Sequence, residues 1–198
     1  MKELEETKKI LSDGEEIKEY FKPNKKRFVV INAIMSSIFT ILFAGFFLSM
    51  GIDGLIHPDH FTTTDETTGV TSPDPVGPIV MTIIGGMALL AVIIVVVSLI
   101  VRYKRTLYVV TNRRLIVRSG FIGVDYKSIE LKYVGLVNVR VDFLDKLVRS
   151  NTGTITFASA AIPMVNAQGN PNGAFTFKCI DDPYEAYKKV KACIPNDN

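Results

Sequence analysis

The sequence has no tryptophan, and only two histidines and two cysteines in 198 residues. Without Trp, aromatic anchoring at a membrane–water boundary falls to Tyr and Phe. Two cysteines, Cys179 and Cys193, are too few for a disulfide framework. Both histidines, His57 and His60, lie in one polar stretch, so the C-terminal half has no His for a triad or a general base. It also lacks a nucleophile motif, a phosphate-cradling glycine loop and a Cys/His metal pattern. Its carboxylates Asp142, Asp145, Asp181 and Asp182 are each accounted for as strand-face, turn or helix-cap residues. The chain is therefore read as non-enzymatic, with no cofactor, no catalytic residue and no metal site.

Charge is missing from two long stretches, residues 28–51 and 79–101. At 1.5 Å per residue the second makes a helix of roughly 35 Å, enough to cross a ~30 Å hydrocarbon core with some tilt. A chain of this size has too little other mass to bury two such helices on all sides. Between them, residues 51–78 carry Asp53, Asp59, Asp65, Glu66 and Asp74 but no Lys or Arg. Lys22, Lys25, Lys26 and Arg27 precede the first apolar run, and Arg102, Lys104 and Arg105 follow the second. The positive-inside rule then puts both termini in the cytoplasm and the loop outside, as in a multi-pass plasma-membrane protein. The expected divisions are a cytoplasmic N-terminal segment (1–27), a transmembrane helix (28–56), an extracytoplasmic loop (57–78), a second transmembrane helix (79–101) and a cytoplasmic domain (102–198). Small residues Ser37, Gly45 and Ser49 are expected to face Gly85, Gly86 and Ala91 in a tight hairpin. His57-Pro58-Asp59-His60, with Asp53 nearby, matches no metal-ligand spacing and reads as a surface loop without a core.

The N-terminal segment mixes both charges. Leu4, Ile10, Leu11, Ile17, Tyr20 and Phe21 are roughly heptad-spaced, which predicts a short amphipathic helix interrupted at Gly14 and ended by Pro23; a solvated tail fits the same residues.

After the second apolar run the period changes to two. Residues 106–111 and 114–118 are β-rich and meet at Thr111-Asn112-Arg113, where an Asn with positive φ would close a tight hairpin. A third strand follows over 124–131. Residues 136–143 alternate, with Val137, Val139, Val141 and Phe143 on the apolar face. A short, helix-compatible link (144–148) leads to a strand over 154–158 with Ile155 and Phe157 inward. Residues 159–173 read as a long loop. A last strand, 174–180, puts Phe175, Phe177 and Cys179 on one face, which makes Cys179 a small core residue. Asp182, Pro183 and Glu185 fall at N-cap, N1 and N3 of a closing helix that runs to about Cys193. Its apolar stripe is Ala186, Tyr187, Val190 and Ile194.

Two spans followed by YVVTNRRLIVRSGFIG, GLVNVRVD, GTITF and FKCIDDPYEAYKKV resemble the bacterial-type pleckstrin-homology (PH) domains of small membrane proteins. The short Asp13-Gly14-Glu15 element before the first span is similar to one these proteins carry. The resemblance implies an α+β membrane protein: a two-helix transmembrane hairpin, then a PH-like antiparallel β-barrel or bent sheet with a C-terminal capping helix. It implies no catalytic activity. Phosphoinositide-binding PH domains of eukaryotes use a long basic loop between their first two strands; here the matching connection reads as residues 111–113 alone.

Residues 102–198 hold fifteen Lys and Arg against eight Asp and Glu. Lys104, Arg105, Arg113, Arg114 and Arg118 cluster in the first hairpin and its approach and are the candidate lipid- or partner-binding residues. Anionic headgroups would be attracted at about 1 kcal/mol per well-placed cation. Positive-inside bias alone accounts for Lys104 and Arg105, whereas Arg113 and Arg114 stand at a hairpin tip. Two functions remain open: a protein-interaction or assembly module at the inner face of the membrane, or an anionic-lipid sensor. The expected partners are the bilayer, anionic headgroups, and a membrane or cytoplasmic protein or a second copy. Nucleic acid is not among them, because the basic patch lacks interleaved exposed aromatics.

Overall fold

The computed structural model describes residues 2–64, 67–147, 151–158 and 175–195. The loop expected over 159–173 lies outside them. In chain order the elements begin with α1 (Lys2–Lys8), β1 (Ile17–Phe21), a π-helical turn (Lys26–Ile31) and α2 (Asn32–Ile56). A 3-10 turn (Pro58–His60), β2 (Thr62–Thr64), β3 (Thr71–Pro73) and α3 (Val76–Arg105) follow. The rest is β4 (Leu107–Thr111), β5 (Arg114–Ser119), β6 (Asp125–Glu130), a 3-10 turn (Leu131–Tyr133), β7 (Leu136–Arg140), α4 (Phe143–Leu147), β8 (Thr152–Ala158), β9 (Phe175–Asp181) and α5 (Pro183–Cys193). The chain divides into two compact units, one of Met1–Ile31 with Leu99–Asn198, the other Asn32–Ser98.

The first unit is a β-domain of two antiparallel sheets, β1-β4-β5-β6 and β7-β8-β9. β4 (LYVVT) is buried at all five positions, as an inner strand covered on both faces must be. One face carries Tyr108 and Val110 into the main core with Leu115, Ile129, Ile155, Phe157, Phe175 and Phe177. The other packs Leu107 and Val109 with Ile116 under Leu4 and Ile17. Tyr108 joins the sheets. Its ring stacks on Phe177 at 4.8 Å between centroids, and its hydroxyl donates to the Lys178 carbonyl at 3.2 Å and accepts from the Lys178 N–H at 3.0 Å. α5 closes the core with Ala186 and Val190, both buried, and Tyr187 and Ile194 pack beside them. The strands expected after residue 101 are all present, with Ile155, Phe157, Phe175 and Phe177 in the main core; Cys179 is buried but sits at φ +57°, where the alternation breaks and Ile180 takes the next place in the core.

The N-terminal segment differs most from expectation. Between residues 2 and 21 only 2–8 are helical, and 17–21 form β1, paired antiparallel with β4 (Tyr20 opposite Val109, Phe21 opposite Tyr108). Ile17 packs on the Leu107–Val109 face of β4 and Phe21 on its Tyr108 face, with a register shift between Ile17 and Glu19, so the spacing that suggested one helix face belongs to a strand that uses both of its faces. The 1–27 stretch is therefore part of the β-domain. With β1 as first strand, the connection between the first two strands of the sheet is the whole α2–α3 segment, and residues 111–113 join the second and third.

Three local features also differ from the sequence expectation. The hairpin at 111–114 is present, but Asn112 has no positive φ. The turn is closed by the Thr111 hydroxyl, which accepts from the N–H groups of Arg113 (3.2 Å) and Arg114 (2.9 Å). Phe143 is not inward: β7 ends at Arg140 and Phe143 opens α4, 74% exposed. Asp182 is the N-cap of α5 with Pro183 after it, yet it makes no capping bond; its φ is +46° and its carboxylate accepts from the Asn151 amide instead.

In the second unit α2 and α3 are long and apolar enough, by length and composition, to cross a membrane. Their outer side chains are exposed, Phe39 by 81% and Leu42 and Met87 by 67%. The seam is built from small residues seven apart: Ser37, Ala44 and Gly51 on α2, Pro78 and Gly85 on α3. Gly51 and Gly85 require it, because a Cβ on Gly51 would lie 2.3 Å from the Thr82 Oγ1 and 2.7 Å from its N, and one on Gly85 2.6 Å from the Leu48 Cγ. Gly45 and Gly86, expected in this seam, have open space at their Cβ positions. Gly51→Ala is accordingly expected to push α2 and α3 apart at a cost of about 1–3 kcal/mol, read as a lower melting temperature of the purified chain. Gly45→Ala should leave it unchanged. The connecting segment, read as a loop without a core, carries the β2–β3 ribbon.

Candidate functional site

The five candidate cations do not form one free patch. Arg114 stands at the start of β5 and turns toward the 10–16 turn. Its Nε and Nη2 each donate to the Glu15 carboxylate at 2.9 Å, and Nη2 also reaches the Ile10 carbonyl at 2.9 Å. Glu15 further accepts from the Thr111 hydroxyl at 2.8 Å and the Ser12 N–H at 2.9 Å. Burial disfavours ionisation of Glu15, but the bonds from Arg114, Ser12 and Thr111 outweigh it and hold its pKa below the usual carboxylate range. Asn112 completes the clamp: its N–H and side-chain oxygen pair with the Glu16 backbone at 3.1 and 3.0 Å.

Arg118, on the same strand, is 4% exposed. It pairs with Glu6 of α1, donates to the Arg105 carbonyl at 2.8 Å, and lies 3.3 Å from the Tyr126 hydroxyl. Arg105 turns its guanidinium onto the β5–β6 loop, donating to the carbonyls of Ile122 (2.8 Å) and Gly123 (2.9 Å). Lys104 and Arg113 are exposed, and among the described residues neither has a carboxylate within ion-pair distance. So three of the five cations are tied into the fold, two of them by acids of the N-terminal segment.

The Glu15 clamp sets an acid limit on the N-terminal segment. A carboxylate whose pKa is lowered by folding stabilises the fold above its unfolded pKa, and that contribution fades as pH falls through the lowered value. Protection of β1 amides is expected to hold at neutral pH and decline below the ordinary carboxylate range. Glu15→Gln should remove the Glu15 share of that acid step, read by hydrogen exchange across a pH series.

A second polar cluster ties the approach to α2 into the other sheet. Arg27, counted from the sequence as a flanking cation, is buried; its Nε donates to Asp145 Oδ1 at 2.5 Å, and Asp145 is buried too. The Thr152 hydroxyl donates to the same oxygen at 2.7 Å and the Asp142 N–H to the other at 3.0 Å. Asn24 extends the tie, its N–H on the Cys179 carbonyl at 2.6 Å and its amide on Asp181 at 2.7 Å. Burial pushes the Cys179 thiol up to about 11, so it stays protonated and unreactive near neutral pH. No sequence spacing links residues 118 apart, and Arg27 reads locally as one more basic flank.

These arrangements are ion pairs that hold backbone in place, with no nucleophile set beside a base. Among the described residues no group of three or more His, Cys, Asp or Glu converges on a metal-sized site. His60 and Asp53 make an exposed pair at 2.8 Å in the α2–β2 region.

Residues 66–192 match the family described as bacterial PH domain. Among solved structures the chain is similar to a DUF1696 family protein with a pleckstrin-homology domain from Shewanella loihica PV-4. Identity is 17%, with 48% of this chain and 74% of that one covered, at a TM-score of 0.33. No curated protein matches the chain. PH-like domains are generally non-enzymatic and point to an interaction module. A match over most of its length places this chain in the bacterial PH-domain family.

Proposed function

We propose that this chain is a two-span plasma-membrane protein whose PH domain acts on the cytoplasmic face as a non-catalytic protein-interaction or assembly module. The exposed apolar surfaces of α2 and α3 and their basic flanks support the anchor. The β1–β4 pairing supports the topology, because it joins a strand from before α2 to one from after α3 and so needs both on the same side. The observation that favours interaction over lipid sensing is the internal use of Arg114 and Arg118, whose charges meet Glu15 and Glu6. A protein surface is offered elsewhere: Tyr133, Leu136 and Phe143 are exposed around β7, an edge strand of its sheet among the described residues. Edge strands take up extended partner segments through main-chain hydrogen bonds. The partner is a membrane or cytoplasmic protein or a second copy.

The test is the mass of the full chain extracted in mild detergent after cross-linking in cells. Assembly predicts a mass above the 21.9 kDa protomer, or a stoichiometric second protein. A strict monomer without one contradicts it. Headgroup sensing by the hairpin, the alternative, rests on the exposed Arg113 and Lys104. Native mass spectrometry of an Arg113→Glu chain decides that point: an unchanged number of retained anionic lipids counts against it.

A further inference from the structure

The loop from β5 to β6 ends in an apolar tip. Ile122 is 89% exposed, and Phe121 and Val124 are 40% exposed. The shape of the loop is fixed by Gly120, at φ +145°, where a Cβ would lie 2.2 Å from the Gly123 carbonyl oxygen. The two carbonyls at the tip, those of Ile122 and Gly123, are the pair satisfied by Arg105. Arg105 is the last residue of α3, about one turn past Val101, where the uncharged run ends. The Arg102 guanidinium lies 6.0 Å from the centre of the Phe121 ring, and Lys104 lines the same hollow as Ile122.

Singly exposed apolar residues are ordinary on a protein surface. Three at one tip, with the Ile122 and Gly123 carbonyls already bonded, Arg102 and Lys104 beside them, and the acids of the same hollow, Glu3 and Glu6, paired with Lys22 and Arg118, have the properties that insertion into lipid demands. Backbone groups entering an apolar phase need partners beforehand, and the cations can meet headgroup phosphates. We propose that residues 120–124 are a membrane wedge. Phe121 and Ile122 enter the headgroup–acyl boundary of the bilayer at the end of α3 that carries Arg102, with Arg102 and Lys104 on lipid phosphates. Arg105 then acts as the clamp that holds the wedge and not as a lipid ligand. The wedge rests on the membrane-anchored reading proposed above.

The absence of native Trp makes the test clean. Ile122→Trp and, separately, Leu90→Trp on α3 are reconstituted as full chains into vesicles of phosphatidylcholine and phosphatidylglycerol. Each is quenched with brominated lipid and with aqueous acrylamide. The wedge predicts that Trp at position 122 loses emission to brominated lipid as the position-90 probe does, is shielded from acrylamide, and sits ~5–10 Å deep. Val124→Trp repeats the reading should the first variant fold poorly. If position 90 is quenched by lipid and position 122 only by acrylamide, the wedge is overturned and the anchor stands. If neither is quenched by lipid, the anchor fails and the wedge with it.

Discussion

Deletion of residues 1–21 is expected to abolish the folded β-domain, although it removes no residue of the stretch matched to the family. The deletion strips β1 from β4, leaving the β4 backbone, buried on both faces, at an open edge. It uncovers Leu107, Val109 and Ile116, which Leu4 and Ile17 shield, and it takes Phe21 away from Phe177. It also removes Glu6 and Glu15 while Arg118 and Arg114 stay in place. Arg118 and Arg114 lose their carboxylates as the covering segment leaves, so two charge-assisted ties go with the strand. Losing an inner strand's partner and the cover of one core cluster is large against the ~5–15 kcal/mol total stability of an ordinary domain. Circular dichroism of the purified deletion chain should show loss of the cooperative β-sheet transition. A solvated tail would predict a melting temperature within a degree or two of the parent. Deleting only residues 1–9 keeps β1 and Glu15 and should give a folded domain of lower stability.

Asp145→Ala is expected to be the most damaging single substitution in the domain. It withdraws the carboxylate that holds buried Arg27 at 2.5 Å and that also receives the Thr152 hydroxyl and the Asp142 N–H. Breaking a buried ion pair from one side costs about 3–5 kcal/mol, which for a chain of this length lowers the melting temperature by roughly 6–20 °C. Arg27→Met should cost a similar amount. The double variant Arg27→Met/Asp145→Leu should recover much of the loss, because an apolar pair leaves no buried charge behind. A double-mutant cycle measures this as strong coupling, whereas two independent surface residues would give additive losses.

Much of this architecture is legible in the sequence where a signal is periodic and local. The uncharged runs show α2 and α3, the alternation of Val137 and Val139 or of Phe175, Phe177 and Cys179 shows strands, and Pro183 marks the start of α5. What is not legible depends on contacts between distant residues. Ile17, Tyr20 and Phe21 look like a helix stripe because five residues are too few to separate the two periods; only the partner β4, some ninety residues on, decides. The basic hairpin shows the same difficulty. Arg114 and Arg118 read as a surface patch because their counter-charges, Glu15 and Glu6, come from before the apolar helices. Arg27 and Asp145 carry no mutual signal at all. In the hairpin seam the residue class is legible but the register is not: Ser37 and Gly85 lie in the seam as expected, whereas Gly45 and Gly86 have open space and Gly51 makes the close approach.

The central claim is that the PH domain is completed by a strand from before α2, so that the apolar hairpin is an insertion into the domain. Hydrogen exchange of the intact chain tests it directly. The β1 amides of residues 17–21 are expected to be protected to the same order as those of β4 and to exchange with them in one cooperative step. Free exchange of 17–21 beside a protected β4 would contradict it.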